Sequence, residues 1–130
     1  MLGEQHRINV SDLIWTSVAQ PRQRMIVWLG VHGRLLTKAR MAHLNIPVDD
    51  ANCCLCSSQV QETAHHLFAE CDWFKEVKTG VLQWAGVQLP TGDIKQVLER
   101  IRRKHWKQFY KEVVVALWSA IIYQVWKARN

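Results

Sequence analysis

The spacing of apolar positions along the chain is that of helices almost throughout. Asp12-Leu13-Ile14-Trp15 opens a short helix that Ser11 can cap. Pro21 suits the first turn of a second helix, whose Met25, Ile26, Trp28 and Leu29 form an apolar stripe that Gly33 ends. Thr37 is placed to cap a third helix over Lys38 to Leu44, and Asn45-Ile46-Pro47 with Asp49-Asp50 reads as a loop. Farther on, Asp72 can cap a helix starting at Trp73, in which Trp73, Phe74, Val77, Val81 and Trp84 recur at helical spacing until Gly86. Pro90-Thr91-Gly92 breaks the chain. From Asp93 the pattern is helical to the end: Ile94, Val97, Leu98 and Ile101 set a stripe that Trp106, Phe109, Tyr110, Val113, Leu117, Ile121 and Val125 continue. No run alternates as a strand would. The pattern predicts a mainly α, small helical domain with a long C-terminal helix.

One stretch, 53–71, lacks this periodicity and contains all four cysteines of the chain. A Cys-x-x-Cys pair places two sulfurs on one tight turn, and a His and a Cys downstream supply two more ligands of the type zinc prefers. Cys53, Cys56, His66 and Cys71 make that set, with spacing C-x2-C-x9-H-x4-C. The ends of this spacing are those of retroviral-type zinc knuckles, but the middle is longer. Two disulfides, or four thiols packed as small hydrophobes, are the competing readings. Disulfides fit a secreted protein, whereas MLGEQHRINVSD carries no apolar run resembling a signal peptide, so an intracellular, reducing compartment, nucleus or cytoplasm, is expected.

Six candidate ligands compete for four places. Cys54 lies inside the turn, where its side chain should point away from an ion held by its neighbours. Between His65 and His66 the choice is closer. On a regular helix, residues five apart lie about 140° apart, so His66 and Cys71 converge only if the helix ends or distorts near Glu70. His65 would then face solvent or pack.

Charge and composition narrow the functional classes. With 130 residues and 48% hydrophobic content there is room for one core, and Ser119 and Gln124 interrupt the longest apolar run, so a soluble protein is expected. The net charge of +6 divides as +2 over residues 1–52, −2 over 53–90 and +6 over 91–130. Three thiolates around a divalent ion would add −1 to the acidic segment, which makes the metal a structural clamp rather than a phosphate grip. A zinc-hydroxide enzyme needs three protein ligands and an open position, whereas four are present here; no second carboxylate cluster exists beyond the loop Asp49-Asp50. No catalysis is expected, and no small-molecule substrate. The basic run Arg100, Arg102, Arg103, Lys104, His105, Lys107 and Lys111 is interleaved with aromatics, and is either a solvated helix face or a nucleic-acid contact.

These motifs carry a resemblance. Cys53, Cys56, Glu62-Thr63, His66-Leu67-Phe68 and Cys71 resemble the metal segment of the zinc-binding domain that follows the reverse transcriptase in plant non-LTR retrotransposons of the LINE type. The likeness extends upstream through Ile14-Trp15, Pro21, Arg22, Arg24 and Trp28 to Arg34, Leu36, Thr37 and Leu44. Downstream, Val125-Trp126-Lys127-Ala128-Arg129-Asn130 is similar to the segment leading toward an RNase H domain in such elements. Cys54 departs from the pattern, which has a proline or other non-ligand there.

The resemblance implies a division into a zinc-binding domain over 1–90 and a basic, then apolar, helical segment over 91–130. The implied function is that of a retroelement-derived accessory domain holding one structural zinc, a nucleic-acid-binding or docking module. A protein-interaction module, or a relic with no selected activity, is the alternative. Arg100, Arg102, Arg103, Lys104 and Lys107 are the expected contacts to RNA or DNA, with little sequence preference. The last helix is apolar around most of its girth, which predicts self-association through Trp118, Ile122 and Trp126.

Overall fold

The computed structural model describes residues 11–15 and 18–129. A helical segment at 11–15 is followed by α1 (Pro21–Val31), α2 (Lys38–His43), a π-helical turn (His66–Glu70), α3 (Asp72–Ala85), α4 (Ile94–Arg103) and α5 (Gln108–Arg129). Among the described residues there is no strand, and a single antiparallel bridge joins Asn52 to Gln61.

Most helix boundaries sit where local chemistry puts them. Pro21 occupies the first turn of α1, where its missing N–H costs nothing. The Thr37 hydroxyl accepts from the Arg40 N–H at 3.2 Å and caps α2. Gly86, at φ 68, ends α3 in the left-handed conformation that other residues resist. Asp93 and Gln96 form a reciprocal capping box at the start of α4. Two cap expectations fail. Ser11 is already helical, and Asp72 is the first residue of α3, so the N-cap of α3 is Cys71, with no side-chain bond.

Helix α5 is the centre of the core and packs against α1, α3 and α4. Its Val114, Val115, Trp118, Ile121, Ile122 and Val125 are buried, and they join Val27, Phe74, Val97, Leu98 and Ile101 in one cluster that runs from Leu13 to Val125. Residues on both sides of position 90 therefore share a core. The helices α1 and α4 approach closely, because a Cβ on Gly30 would lie 2.5 Å from Ile94 Cδ1.

Three parts of the hydrophobic pattern are read differently by the fold. On α1 the fully buried residue is Val27, while Met25 is 47% exposed. On α3 Phe74 is buried and Trp84, at the far end, is 85% exposed. The predicted continuous C-terminal helix is broken, with Lys104 in extended conformation after α4 and α5 beginning at Gln108. The reason is phase: on one straight helix the stripe of α4 and the buried stripe of α5 would lie roughly 110° apart. The break allows both to face the core, and it leaves Phe109 exposed.

Two of the three residues expected to mediate self-association lie in the core, and the third is partly buried. Trp118 and Ile122 have no exposed area, and Trp126 packs against the core with its ring 6.4 Å from that of Phe68. A helix contacted by three others needs apolar groups around most of its girth, which is what the sequence pattern showed. No helix among the described residues is long and apolar enough to cross a membrane.

Candidate metal centre

The metal segment is assembled from a loop and a distorted helix. Hydrogen bonds from Cys53 N–H to the Val60 carbonyl (2.8 Å) and from Glu62 N–H to the Ala51 carbonyl (2.9 Å) close the loop, and Gln59, at φ 55, turns it. Thr63 Oγ1 accepts from the His66 N–H at 3.0 Å and starts the helical turn that follows. That turn widens. The Cys71 N–H donates to the His66 carbonyl at 2.7 Å, five residues back, which is the π-helical pattern. On an α-helix these two side chains would diverge; the π turn brings them to one side, the distortion near Glu70 that the spacing required.

The Sγ atoms of Cys53, Cys56 and Cys71 and a ring nitrogen of His66 lie within 4.8 Å of one another. Cys53 and Cys71 sulfurs are 3.9 Å apart, and Cys56 Sγ is 3.4 Å from His66 Nε2. A tetrahedral ion with sulfurs at about 2.3 Å and a nitrogen at about 2.0 Å places neighbouring donors roughly 3.5–3.8 Å apart, and these two separations lie near that range. All four cysteines are free thiols, so the disulfide reading fails.

The surroundings prepare the donors unequally. A backbone hydrogen bond from Ser58 lowers Cys56 to about 6, with His66 adding to the effect against the opposing cost of desolvation. Burial pushes Cys71 up to about 11, although backbone hydrogen bonds from Phe74 and Trp73 pull the other way. Those two amides belong to the first turn of α3, so the Cys71 sulfur sits where helix N–H groups favour negative charge. On the other side of the ring, His66 Nδ1 lies 3.9 Å from the Glu70 carboxylate, on the side from which a carboxylate can fix the tautomer that offers Nε2 to a metal.

The spare candidates are elsewhere. Cys54 is exposed, its sulfur 3.7 Å from the Arg129 carbonyl oxygen. His65 is 57% exposed and faces the carboxylates of Glu70 (3.5 Å) and Asp93 (3.8 Å). Sequence reasoning overlooked a further pair. Glu62 has no exposed area, yet its carboxylate accepts three bonds from the Arg129 guanidinium at 2.8–3.0 Å and one from the Lys38 N–H at 2.8 Å. Arg129 also donates to the Leu36 carbonyl and stacks over Trp126 at 4.7 Å. The end of α5 is thereby fastened to the metal loop. Glu62 as the one acidic residue between Cys56 and His66, and a basic residue closing an apolar helix, were the available signals.

A family model described as zinc-binding in reverse transcriptase matches residues 1–77, which include all four donors. The chain belongs to that family. No curated protein and no solved structure matches it. The zinc-binding family and the Cys3His cluster agree on the cofactor, one structural Zn2+, with Cys53, Cys56, His66 and Cys71 as the matching donor set. In reverse transcriptases this is an accessory domain, separate from the one that performs synthesis.

The basic residues proposed for nucleic acid lie on the last turns of α4 and the break after it. Arg100, Arg103, Lys104 and Lys107 are exposed, although an Arg100 guanidinium nitrogen donates to the Thr91 carbonyl. Arg102 departs from this set: it is half-buried, and its carbonyl accepts from Lys111 Nζ at 2.7 Å.

Proposed function

We propose that this domain is a retroelement-derived, non-catalytic module that binds nucleic acid through the cationic end of α4 and the break before α5. The observation that carries the reading is the exposure of Arg100, Arg103, Lys104 and Lys107 within eight positions of a segment whose net charge is +6. The acidic, thiolate-rich metal loop repels phosphate, which leaves the zinc a structural role and the contact to the other region. Four protein donors leave no open coordination position for a reactive water. Four free thiols fit a reducing compartment. The docking alternative draws less support from α5, where Trp118 and Ile122 lie in the core.

Binding of the zinc-loaded protein to labelled RNA and DNA, followed by anisotropy across a salt series, tests this. Affinity should fall with salt, and Arg103→Glu with Lys104→Glu should remove it while zinc content and helix signal persist. Every phosphate that a variant no longer neutralises should flatten the slope of log affinity against log salt by about 0.7–0.9. Equal binding by parent and double variant would refute the placement.

A further inference from the structure

The break that carries the basic residues also presents an aromatic ring the core does not use. Phe109, in the first turn of α5, is 72% exposed, five positions before the first buried residue of that helix. Beside it in sequence, Trp106 and Tyr110 pack edge to face with centroids 5.0 Å apart and an interplanar angle of 86°, which gives the neighbourhood a fixed base. Lys104 Nζ lies 5.7 Å from the Trp106 centroid, and Arg103 and Lys107 are exposed on the same short segment. The first turn of α5 contains no acidic residue to repel phosphate.

We propose that Phe109 is a stacking platform and that the nucleic acid this surface takes is single-stranded. The inference rests on the nucleic-acid reading and narrows it to a substrate class. In a duplex the base faces are covered by neighbouring bases, so an aromatic side chain meets only phosphates and groove edges. In a single strand each base offers a free face, and a ring set among cations can stack on it while they hold the flanking phosphates. Stacking of this kind tolerates any base, so little sequence preference follows.

The test uses the full zinc-loaded chain with labelled oligouridylate, oligothymidylate and a duplex of equal length. The parent should bind the single strands more tightly than the duplex. Phe109→Ala should weaken single-strand binding roughly fivefold to a hundredfold, the range that stacking of one base supports, and leave duplex binding and the salt slope unchanged. Phe109→Trp should restore the preference. Because the side chain is mostly in solvent, the alanine variant should retain its zinc and its melting temperature. An alanine variant that binds single strands as well as the parent, or a parent that binds duplex equally well, overturns the stacking platform while leaving the cationic surface standing. A parent that binds no nucleic acid at any salt removes both readings together.

Discussion

Arg129→Ala should unfasten α5 from the metal loop. Glu62 has no exposed area and the Arg129 side chain is 8% exposed, so the paired groups are buried, and removing the guanidinium leaves a carboxylate in the interior with the Lys38 N–H as its remaining hydrogen-bond donor among those described. Breaking one side of a buried ion pair typically costs about 3–5 kcal/mol, because the surviving charge keeps its desolvation penalty. The retained Lys38 bond places the expected cost near the lower end of that range. Native domains are stable by only about 5–15 kcal/mol, so this is a large share. For a chain of this size the corresponding fall in melting temperature is on the order of 10 °C. Urea unfolding of the zinc-loaded protein, with Glu62→Gln and the double variant completing a thermodynamic cycle, isolates the pair. Each single substitution should cost more than about 2 kcal/mol, and the double variant clearly less than their sum. An alanine variant within about 0.5 kcal/mol of the parent, with no coupling to Glu62, would refute the latch.

Four other outcomes are expected. Cys54→Ser and His65→Ala should keep one zinc per chain by metal analysis, while replacement of Cys53, Cys56, His66 or Cys71 should lose it. Zinc binding at pH 7 should expel the proton of Cys71, raised to about 11, but none from Cys56, lowered to about 6; calorimetry in buffers of different ionisation enthalpy counts the protons, and the count should rise as pH falls through 6. The same shifts act on the metal-free fold with opposite signs. The Cys56 contribution is present above its ordinary 9.0 and lost as pH falls through 6, and that of Cys71 is whole below 9.0 and lost as pH rises through 11. Phe68→Ala should destabilise by about 3–5 kcal/mol in denaturant titration, since Phe68 is fully buried between Phe74 and Trp126.

Residues that act through local chemistry were legible before folding. Pro21, Thr37, Gly86 and the Cys-x-x-Cys turn each do what their covalent structure permits, wherever the chain later packs. The need for a distortion between His66 and Cys71 was legible too, because helical geometry alone forbids their convergence. What escaped depended on partners distant in sequence. The girth of α5 looked like an unsatisfied surface until α1, α3 and α4 were placed around it. Trp84 matched the helical spacing of Phe74, yet it stays in solvent while Val81 and Leu82 of the same part of α3 pack against the core. The break after Arg103 contains neither proline nor glycine, so it follows from the phase of two stripes and not from any local signal. The Glu62–Arg129 pair spans 67 positions, beyond the reach of any periodicity.

The placement of zinc follows from where burial fails. Helices α1, α4 and α5 bring their own apolar stripes, and Val27, Val97, Leu98, Ile101, Val114 and Ile122 meet with no exposed surface. The loop from Cys53 to Glu62 has no such resource: Leu55 is half-buried, Val60 is 41% exposed, and the residues between are small or polar. Hydrophobic burial cannot hold so apolar-poor a segment against its conformational entropy, of about 1–2 kcal/mol per residue. A structural zinc contributes about 10–16 kcal/mol in small peptides, enough to offset that cost for a loop of this length. The ion is thus needed at one end of the domain, and Phe68 and Glu62 transmit its hold to α5, the first through the Phe74 and Trp126 rings and the second through Arg129. Chelation should accordingly expose the amides of the loop and the π turn to hydrogen exchange first, with those of α4 and the middle of α5 protected longest. Simultaneous loss of protection everywhere would mean that the helices depend on the metal as much as the loop does.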